Sequence, residues 1–197
     1  MSKAWMAADW PAPASVNAGT VLRNGDIAAL KLPGKPCWLQ QVHGADVVAA
    51  GDYEAPPQAD AAVGRHAGDV CVVRTADCLP VLFCSADGTR IAAAHAGWRG
   101  LAAGILEATI ARLEQDPGDL MAWLGPAISQ TAYEVGGEVR DAFVEPDPGA
   151  AACFQPNERG RWQADLFALA RRRLAAAGIG ACYGGGLCTF SDSERFY

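Results

Sequence analysis

Residues 89–116 read TRIAAAHAGWRGLAAGILEATIARLEQD, and this stretch predicts the class of fold. Its first part, TRIAAAHAG, is an apolar run of the length that is typical of a strand. In its second part, apolar residues recur at helical spacing (Leu101, Ile105, Ala108 and Leu113), and a Pro-Gly pair follows as a stop signal. A strand followed at once by an amphipathic helix indicates an α/β fold.

The rest of the chain shows short strands first and helices later. The runs that favour strands are PCWLQQV, DVVAAG, ADAAV, DVCVVR, PVLFCS, DLMAWLGPAI and CYGGGLCTF. Asp87–Gly88 in SADGTR predicts a hairpin. Two further runs, GGEVRDAFVE and DLFALARRRLAAAG, favour helices, with Asp165 as the N-cap of the last one and Gly178 at its end. With 197 residues the sequence predicts one domain over residues 1–197, built on a mixed sheet.

Composition and charge exclude several classes of partner. Hydrophobic residues make up 51% of the chain, and the net charge is −6. An acidic chain without a basic patch is not expected to bind nucleic acid. No apolar run reaches the ~18 residues of a membrane span, and the start MSKAWMAADWPAPAS has no signal-peptide pattern. An odd count of seven cysteines then argues against a disulfide framework and for the reducing cytoplasm.

Three residues at predicted strand ends form a candidate metal centre. His43 ends QQVHG, His95 ends AAAHAG, and Cys78 precedes Pro80 in RTADCLP. Two imidazoles and a thiolate are a suitable zinc set, and three protein ligands leave a fourth position open for catalysis. The same residues allow a metal-free alternative, in which Cys78 is a nucleophile, His95 its base and Asp77 the residue that orients the histidine. His66 fits neither pattern and is predicted to lie in a loop.

The segment after His95 adds a candidate anion site. Arg99 stands just before the helix expected to begin near Leu101, and an arginine at a helix N-terminus attracts phosphate. A surface arginine beside a turn is the equally simple interpretation. Trp98 could stack on a flat base or pack in the core.

The three motifs, QVHG, RTADCLPVL and AAAHAGWRG in this order, resemble the signature of the YfiH-type family. Its members have been called laccase-domain proteins, polyphenol oxidases, peptidoglycan editing factors and purine nucleoside phosphorylases. WPAPASV, CWLQQVHGADV, DAAV at Asp60, WLGPAISQTAYEV and LCTFSDSERFY extend the resemblance over nearly the whole chain.

The resemblance implies a layered α/β sandwich of the YfiH-like, cysteine-hydrolase-like type, with zinc on His43, Cys78 and His95. It implies phosphorolysis of adenosine, inosine, guanosine and methylthioadenosine, and deamination of adenosine. Purine nucleosides and inorganic phosphate are thus the expected partners. Arg23 in TVLRNG matches a family arginine that is a candidate for phosphate or substrate binding. The chain departs from the family pattern after this arginine, where the family has a longer stretch, and at Tyr197, where the family continues with a basic tail.

Deamination would need a water activated by the zinc, with Asp77 beside Cys78 as the candidate proton carrier. The zinc deaminase motifs His-x-Glu and Pro-Cys-x-x-Cys are missing, so this arrangement would differ from theirs.

Two other enzyme classes remain as alternatives. A single His₂Cys site could hold copper, but three histidines in total cannot supply a multicopper laccase cluster. A Cys78-dependent amidase that acts on peptidoglycan precursors would agree with the family name "peptidoglycan editing factor". A zinc-stabilised partner module without activity is a third alternative. The sequence leaves the oligomeric state open.

Overall fold

The computed structural model describes residues 4–196. This part of the chain forms thirteen strands: β1 (Trp5–Ala7), β2 (Gly19–Val21), β3 (Pro36–Cys37), β4 (Val47–Ala49), β5 (Ala61–Gly64), β6 (Val70–Cys71), β7 (Leu79–Ser85), β8 (Ile91–Ala96), β9 (Leu120–Leu124), β10 (Glu134–Val135), β11 (Phe154–Pro156), β12 (Trp162–Ala164) and β13 (Ala181–Gly184). It also forms four α-helices: α1 (Trp98–Ala103), α2 (Ile105–Leu113), α3 (Gly137–Val144) and α4 (Leu166–Ala176). Eight strands therefore precede the first helix, in line with the order predicted from the sequence.

Six strands form one mixed sheet at the centre of the molecule. Their order is β13-β9-β7-β8-β5-β4. The inner neighbours β9, β7, β8 and β5 pair antiparallel, whereas the outer pairs β4–β5 and β9–β13 are parallel. The remaining strands form small sheets, β1-β2, β3-β6 and β10-β12-β11. The α/β class and the mixed sheet predicted from the sequence are confirmed.

The hairpin predicted at Asp87–Gly88 joins β7 to β8. The Asp87 carboxylate accepts hydrogen bonds from the hydroxyl of Ser85 at 2.6 Å and the N–H of Thr89 at 3.0 Å. Gly88 has a φ of +72°, which lies in the left-handed region that glycine tolerates. The register set by this turn pairs Pro80 with His95, so the start of β7 lies beside the end of β8.

The helices cover one face of the central sheet. Helix α2 lies over β8, β5 and β4, and α4 packs beside α2. Alternate strand positions contribute to the core beneath them, because successive side chains of a strand point to opposite faces. The core residues with an exposure of about 1% or less include Val63, Val81, Phe83, Leu101, Ile105, Leu106 and Leu124. Each such side chain contributes roughly 1.5–3 kcal/mol by leaving water.

The helix expected over residues 101–116 differs from the structure in two ways. It begins three residues earlier, at Trp98, so Arg99 lies inside the first turn of α1 and not before the helix. Gly104, with a φ of +95°, then separates α1 from α2. The expectation of an arginine placed just ahead of a long helix is therefore wrong, because the glycines on both sides of α1 set its ends.

The last helix begins and ends where the sequence predicts. The carboxylate of Asp165 accepts a hydrogen bond from the N–H of Ala168 at 2.9 Å and caps α4. Gly178 follows the end of the helix with a φ of +93°.

The other face of the sheet bounds a cavity of about 540 Å³ beneath the N-terminal segment. Four tryptophans line it, Trp5, Trp10, Trp38 and Trp123. The indole N–H of Trp123 donates to the carboxylate of Asp9 at 2.6 Å and so attaches the N-terminal segment to β9. This face therefore carries a large, mainly apolar hollow in place of a second layer of helices.

The seven cysteines are all free thiols, which agrees with the prediction that the chain has no disulfide framework. Across residues 4–196, no helix has both the length and the apolar character that crossing a membrane requires. Tyr197, where the sequence departs from the family pattern, lies outside the described residues.

Candidate metal centre

The three candidate ligands meet at one edge of the central sheet. Their ligand atoms all lie within 4.8 Å of one another. The Sγ of Cys78 is 3.9 Å from the Nε2 of His43, and the two imidazole centroids are 4.7 Å apart at an interplanar angle of 76°. The structure thus brings together residues separated by 35 and 17 positions in the chain.

The strand register explains this convergence. His95 belongs to β8, and Cys78 immediately precedes β7, whose Pro80 pairs with His95. His43 lies in the loop before β4 and has a φ of +62°, in the left-handed region where non-glycine residues are uncommon. His95 is buried, Cys78 is half-buried and His43 is exposed, so the centre opens to solvent on the His43 side.

Asp60 is a buried carboxylate beside the cluster, with no exposed surface. Its Oδ1 accepts hydrogen bonds from the ring Nδ1 of His95 at 2.7 Å and from the backbone N–H of His43 at 3.0 Å. Its Oδ2 accepts from the backbone N–H groups of Val42 at 3.1 Å and Gly44 at 2.8 Å. Burial raises the pKa of Asp60, but these hydrogen bonds outweigh it and hold the pKa below its ordinary value.

The charge states fit a metal site. Burial lowers the pKa of His95, and the opposing effect of Asp60 does not cancel it, so the ring is neutral. Because the ionised Asp60 accepts from Nδ1, that nitrogen carries the proton and Nε2 keeps a free lone pair for a metal. Burial raises the pKa of the Cys78 thiol, and the carboxylates of Asp77 and Asp60 add to the rise. The thiol is therefore protonated near neutral pH, and a metal ion that binds it would have to displace this proton.

Gly97 lets the chain pass close to two of the ligands. A Cβ at this position would lie 2.8 Å from the Sγ of Cys78 and 3.2 Å from the Cδ2 of His43. Such distances are shorter than ordinary van der Waals contacts. The glycine after AAAHA is therefore required by the space that the Cys78 and His43 side chains occupy.

Asp77 does not orient His95, contrary to the metal-free alternative. Its carboxylate accepts a hydrogen bond from the hydroxyl of Thr189 at 2.7 Å, and Asp60 bonds His95 in its place. Asp60 was not predicted to contact the cluster; its only local signal is an acid within the strand run ADAAV. The same alternative needs a lowered pKa for the Cys78 thiol, and burial has the opposite effect.

Arg99 and Trp98 lie beside the centre. Arg99 is exposed, and its guanidinium carbon is 4.5 Å from the centroid of the Trp98 ring. Trp98 is half-buried against the core, which agrees with the packing interpretation. Burial raises the pKa of Tyr133 to about 12; the Cys78 thiolate adds to the rise, and Arg99 opposes it. The charges of Cys78 and Arg99 thus act on Tyr133 in opposite directions. Tyr133 is a second residue near the centre that was not predicted from the sequence.

Neither Arg23 nor the third histidine, His66, belongs to the cluster of ligand atoms. The Nε of Arg23 donates to the carbonyl of Phe196 at 2.7 Å, and its backbone N–H donates to the carbonyl of Arg195. Arg23 thus contacts the C-terminal segment. His66 is a surface histidine whose Nδ1 is 3.5 Å from Asp69, which agrees with its prediction as a loop residue.

The tryptophan-lined cavity is not the metal centre. None of His43, Cys78 and His95 lines it. Arg74 lines its wall, and the side chain of Gln41 forms hydrogen bonds at 2.8 Å to the N–H and the carbonyl of Arg74. The candidate metal centre, at the ends of the inner strands β7 and β8, is therefore distinct from the tryptophan-lined cavity.

The sequence matches one protein family over most of its length. The family described as "Multi-copper polyphenol oxidoreductase laccase" matches residues 15–197. A Pseudomonas aeruginosa protein named purine nucleoside phosphorylase PA4543 is 47% identical over 222 residues, which cover 98% of this chain and 91% of the relative. An Escherichia coli K12 protein named purine nucleoside phosphorylase YfiH is 51% identical over 171 residues. This match covers 86% of this chain and 70% of the relative.

A solved structure agrees with this assignment. The crystal structure of Neisseria meningitidis protein NMB0706, of family DUF152, has a TM-score of 0.93 and 42% identity. The match covers 99% of this chain and 92% of that one. The resemblance to the YfiH-type family is confirmed, and the chain belongs to the multi-copper polyphenol oxidoreductase laccase family.

Proposed function

We propose that this member of the laccase family is a metal-dependent purine nucleoside phosphorylase that also deaminates adenosine. The observation that carries the proposal is the cluster of His43, Cys78 and His95, in a chain 47% identical to a protein named purine nucleoside phosphorylase. Adenosine, inosine, guanosine and methylthioadenosine are its proposed nucleosides, with phosphate as the second substrate.

The donor set favours zinc, and copper is the other ion that two imidazoles and a thiolate can hold. A bound ion would supply a Lewis acid next to the substrate. The residues around the cluster orient the proposed ligands for such an ion. Asp60 keeps the proton of His95 on Nδ1, and the exposed ring of His43 lies on the side from which a substrate can approach.

Phosphorolysis needs a positioned anion more than a strong base. An oxygen of phosphate bonds to the anomeric carbon of the ribose, the bond from that carbon to the purine nitrogen breaks, and the purine leaves with a proton. The transition state resembles an oxocarbenium ion, so the gain comes mainly from orientation and charge. Arg99, exposed beside the centre, is the proposed phosphate ligand. Arg23, which contacts Phe196, remains a prediction for this role.

Deamination of adenosine consumes water and releases ammonia, with inosine as the product. Asp77 is the proposed proton carrier, since it directly precedes Cys78 and its carboxylate is fixed by the hydroxyl of Thr189. We also place the protein in the cytoplasm, where its seven cysteines remain free thiols.

The test is a chromatographic assay of metal-loaded protein with each nucleoside, with and without phosphate. We expect free purine base only with phosphate, and inosine from adenosine in both conditions. Cys78→Ser and His43→Ala should abolish both products, whereas His66→Ala, a change at an exposed histidine away from the cluster, should abolish neither.

Three results would contradict the proposal. If metal is bound but the nucleosides stay unchanged, the result would favour the zinc-stabilised partner module without activity. Turnover that survives chelation but not Cys78→Ser would favour the amidase alternative. Oxidation of phenols by copper-loaded protein, without nucleoside turnover, would favour the laccase name.

A further inference from the structure

We propose that Asp60 is the positioning residue of the metal centre and that one carboxylate sets both histidine ligands. The inference rests on the proposed metal site, but it concerns Asp60, which is not one of the three proposed ligands. Asp60 contacts His95 through its ring and His43 through its backbone, at 2.7 and 3.0 Å.

The two contacts act on different degrees of freedom. The bond to Nδ1 fixes the tautomer and the rotation of the His95 ring, so that Nε2 faces the cluster. The bonds to residues 42–44 hold the backbone of a loop in which His43 has a φ of +62°. A left-handed conformation at a non-glycine residue persists only where the surroundings hold it. Asp60 is that restraint, and it has no exposed surface through which water could replace these bonds.

An amide cannot reproduce this pattern. Oδ1 accepts from both histidines, and Oδ2 accepts from Val42 and Gly44. Asn has one oxygen and one NH₂ group, which donates only. If its oxygen replaces Oδ1, the NH₂ group faces the two loop N–H groups. If its oxygen replaces Oδ2, both histidines face a donor. Each orientation therefore loses the hydrogen bonds of one oxygen, either those to the loop or those to the two histidines. The volume of the side chain hardly changes.

The chain contains a matched control. Asp69 also accepts backbone N–H groups next to a histidine, from Arg65 at 2.7 Å and His66 at 2.9 Å. No member of the His43, Cys78 and His95 cluster is among these contacts. Asp69→Asn therefore makes the same substitution at a loop-capping carboxylate elsewhere in the fold, where a single oxygen, Oδ2, accepts both bonds and an amide oxygen can replace it.

The experiment measures metal affinity and stability in purified, metal-free Asp60→Asn, Asp69→Asn and unsubstituted protein. Zinc affinity is measured by competition with a chromophoric chelator, at a temperature where circular dichroism shows every variant folded. Cobalt(II) serves as a spectroscopic probe of thiolate and imidazole coordination. We expect Asp60→Asn to weaken zinc binding by about 10–100-fold and to change the cobalt spectrum. Asp69→Asn should lower the melting temperature at most and leave both metal readouts unchanged.

The outcomes separate this inference from the proposed function. Unchanged zinc affinity in folded Asp60→Asn, with a lower melting temperature, would assign Asp60 a purely structural role and overturn the inference alone. If Asp60→Asn fails to fold, Asp60→Glu takes its place, because it keeps the charge but shifts the acceptor oxygens, and unchanged affinity there overturns the inference as well. Unsubstituted protein that binds no zinc would overturn both this inference and the metal-dependent function.

Discussion

A methyl group at position 97 would point into the candidate metal centre, and Gly97→Ala is therefore a direct test of its geometry. The backbone of Gly97 has φ −63° and ψ 162°, which alanine adopts freely. The substitution thus adds only volume. The new Cβ would lie 2.8 Å from the Sγ of Cys78, where carbon contacts normally measure about 3.5–4.0 Å, so sulfur must retreat by roughly 1 Å. His43, at 3.2 Å, must yield by less.

Displacement of this size exceeds what a metal site accepts. Ligand distances in such sites hold within about 0.2 Å, so we expect Gly97→Ala to weaken zinc binding by about 10–100-fold. The added volume should also lower the free energy of unfolding of the metal-free protein by about 1–3 kcal/mol. Chelator competition measures the first quantity and urea unfolding the second.

Gly137→Ala is the matched control, because a Cβ there meets nothing within 4 Å. It should leave the zinc affinity unchanged. Full zinc affinity in folded Gly97→Ala would refute the reasoning, since it would mean that Cys78 and His43 do not close around an ion from the positions described.

Three further outcomes follow from the charges of the site. Zinc binding to the metal-free protein near neutral pH should release about one proton per chain, because burial raises the pKa of the Cys78 thiol. Titration calorimetry in two buffers of different ionisation enthalpy measures the number of protons released. No release would mean that the thiol is already ionised. Burial lowers the folded-state pKa of His95 below its unfolded value of about 6.5, so its contribution to stability is complete above that pH and is lost as the pH falls through the folded value. Urea unfolding of the metal-free protein between about pH 7 and 5 should show this loss, and His95→Gln should flatten it; equal slopes would contradict the assignment. Arg99→Ala should reduce phosphorolysis more than deamination, because only phosphorolysis binds phosphate, and equal losses in product formation would remove Arg99 from that role.

The central fold could be predicted because its signals are local. The Asp87–Gly88 turn and the apolar runs on both sides predicted the β7–β8 hairpin, and the N-cap at Asp165 predicted the start of α4. The break at Gly104 was missed, since a glycine inside a helical pattern is often tolerated. CYGGGLCTF was read as one strand, but β13 ends at Gly184, where three successive glycines take positive φ values. The single-domain organisation over residues 1–197 stays a prediction.

The site was harder to predict than the fold. Residue type suggested His43, Cys78 and His95 as ligands, but only the β7–β8 register shows how they meet. Asp60 could not be ranked above Asp77 from the sequence, because its full burial and its four hydrogen bonds depend on long-range packing. The same limit applies to Arg99, whose place inside α1 depends on where that helix begins.

The wide spacing of the three ligands along the chain also affects when a metal can bind. The β7–β8 hairpin alone brings Cys78 and His95 together, whereas His43 joins them only through its contact with Asp60 at the start of β5. Bringing distant segments together is slow compared with forming a local turn. We therefore expect the three-ligand set to be complete only after this long-range pairing, so that metal loading would follow folding. A bound ion would then stabilise the finished structure.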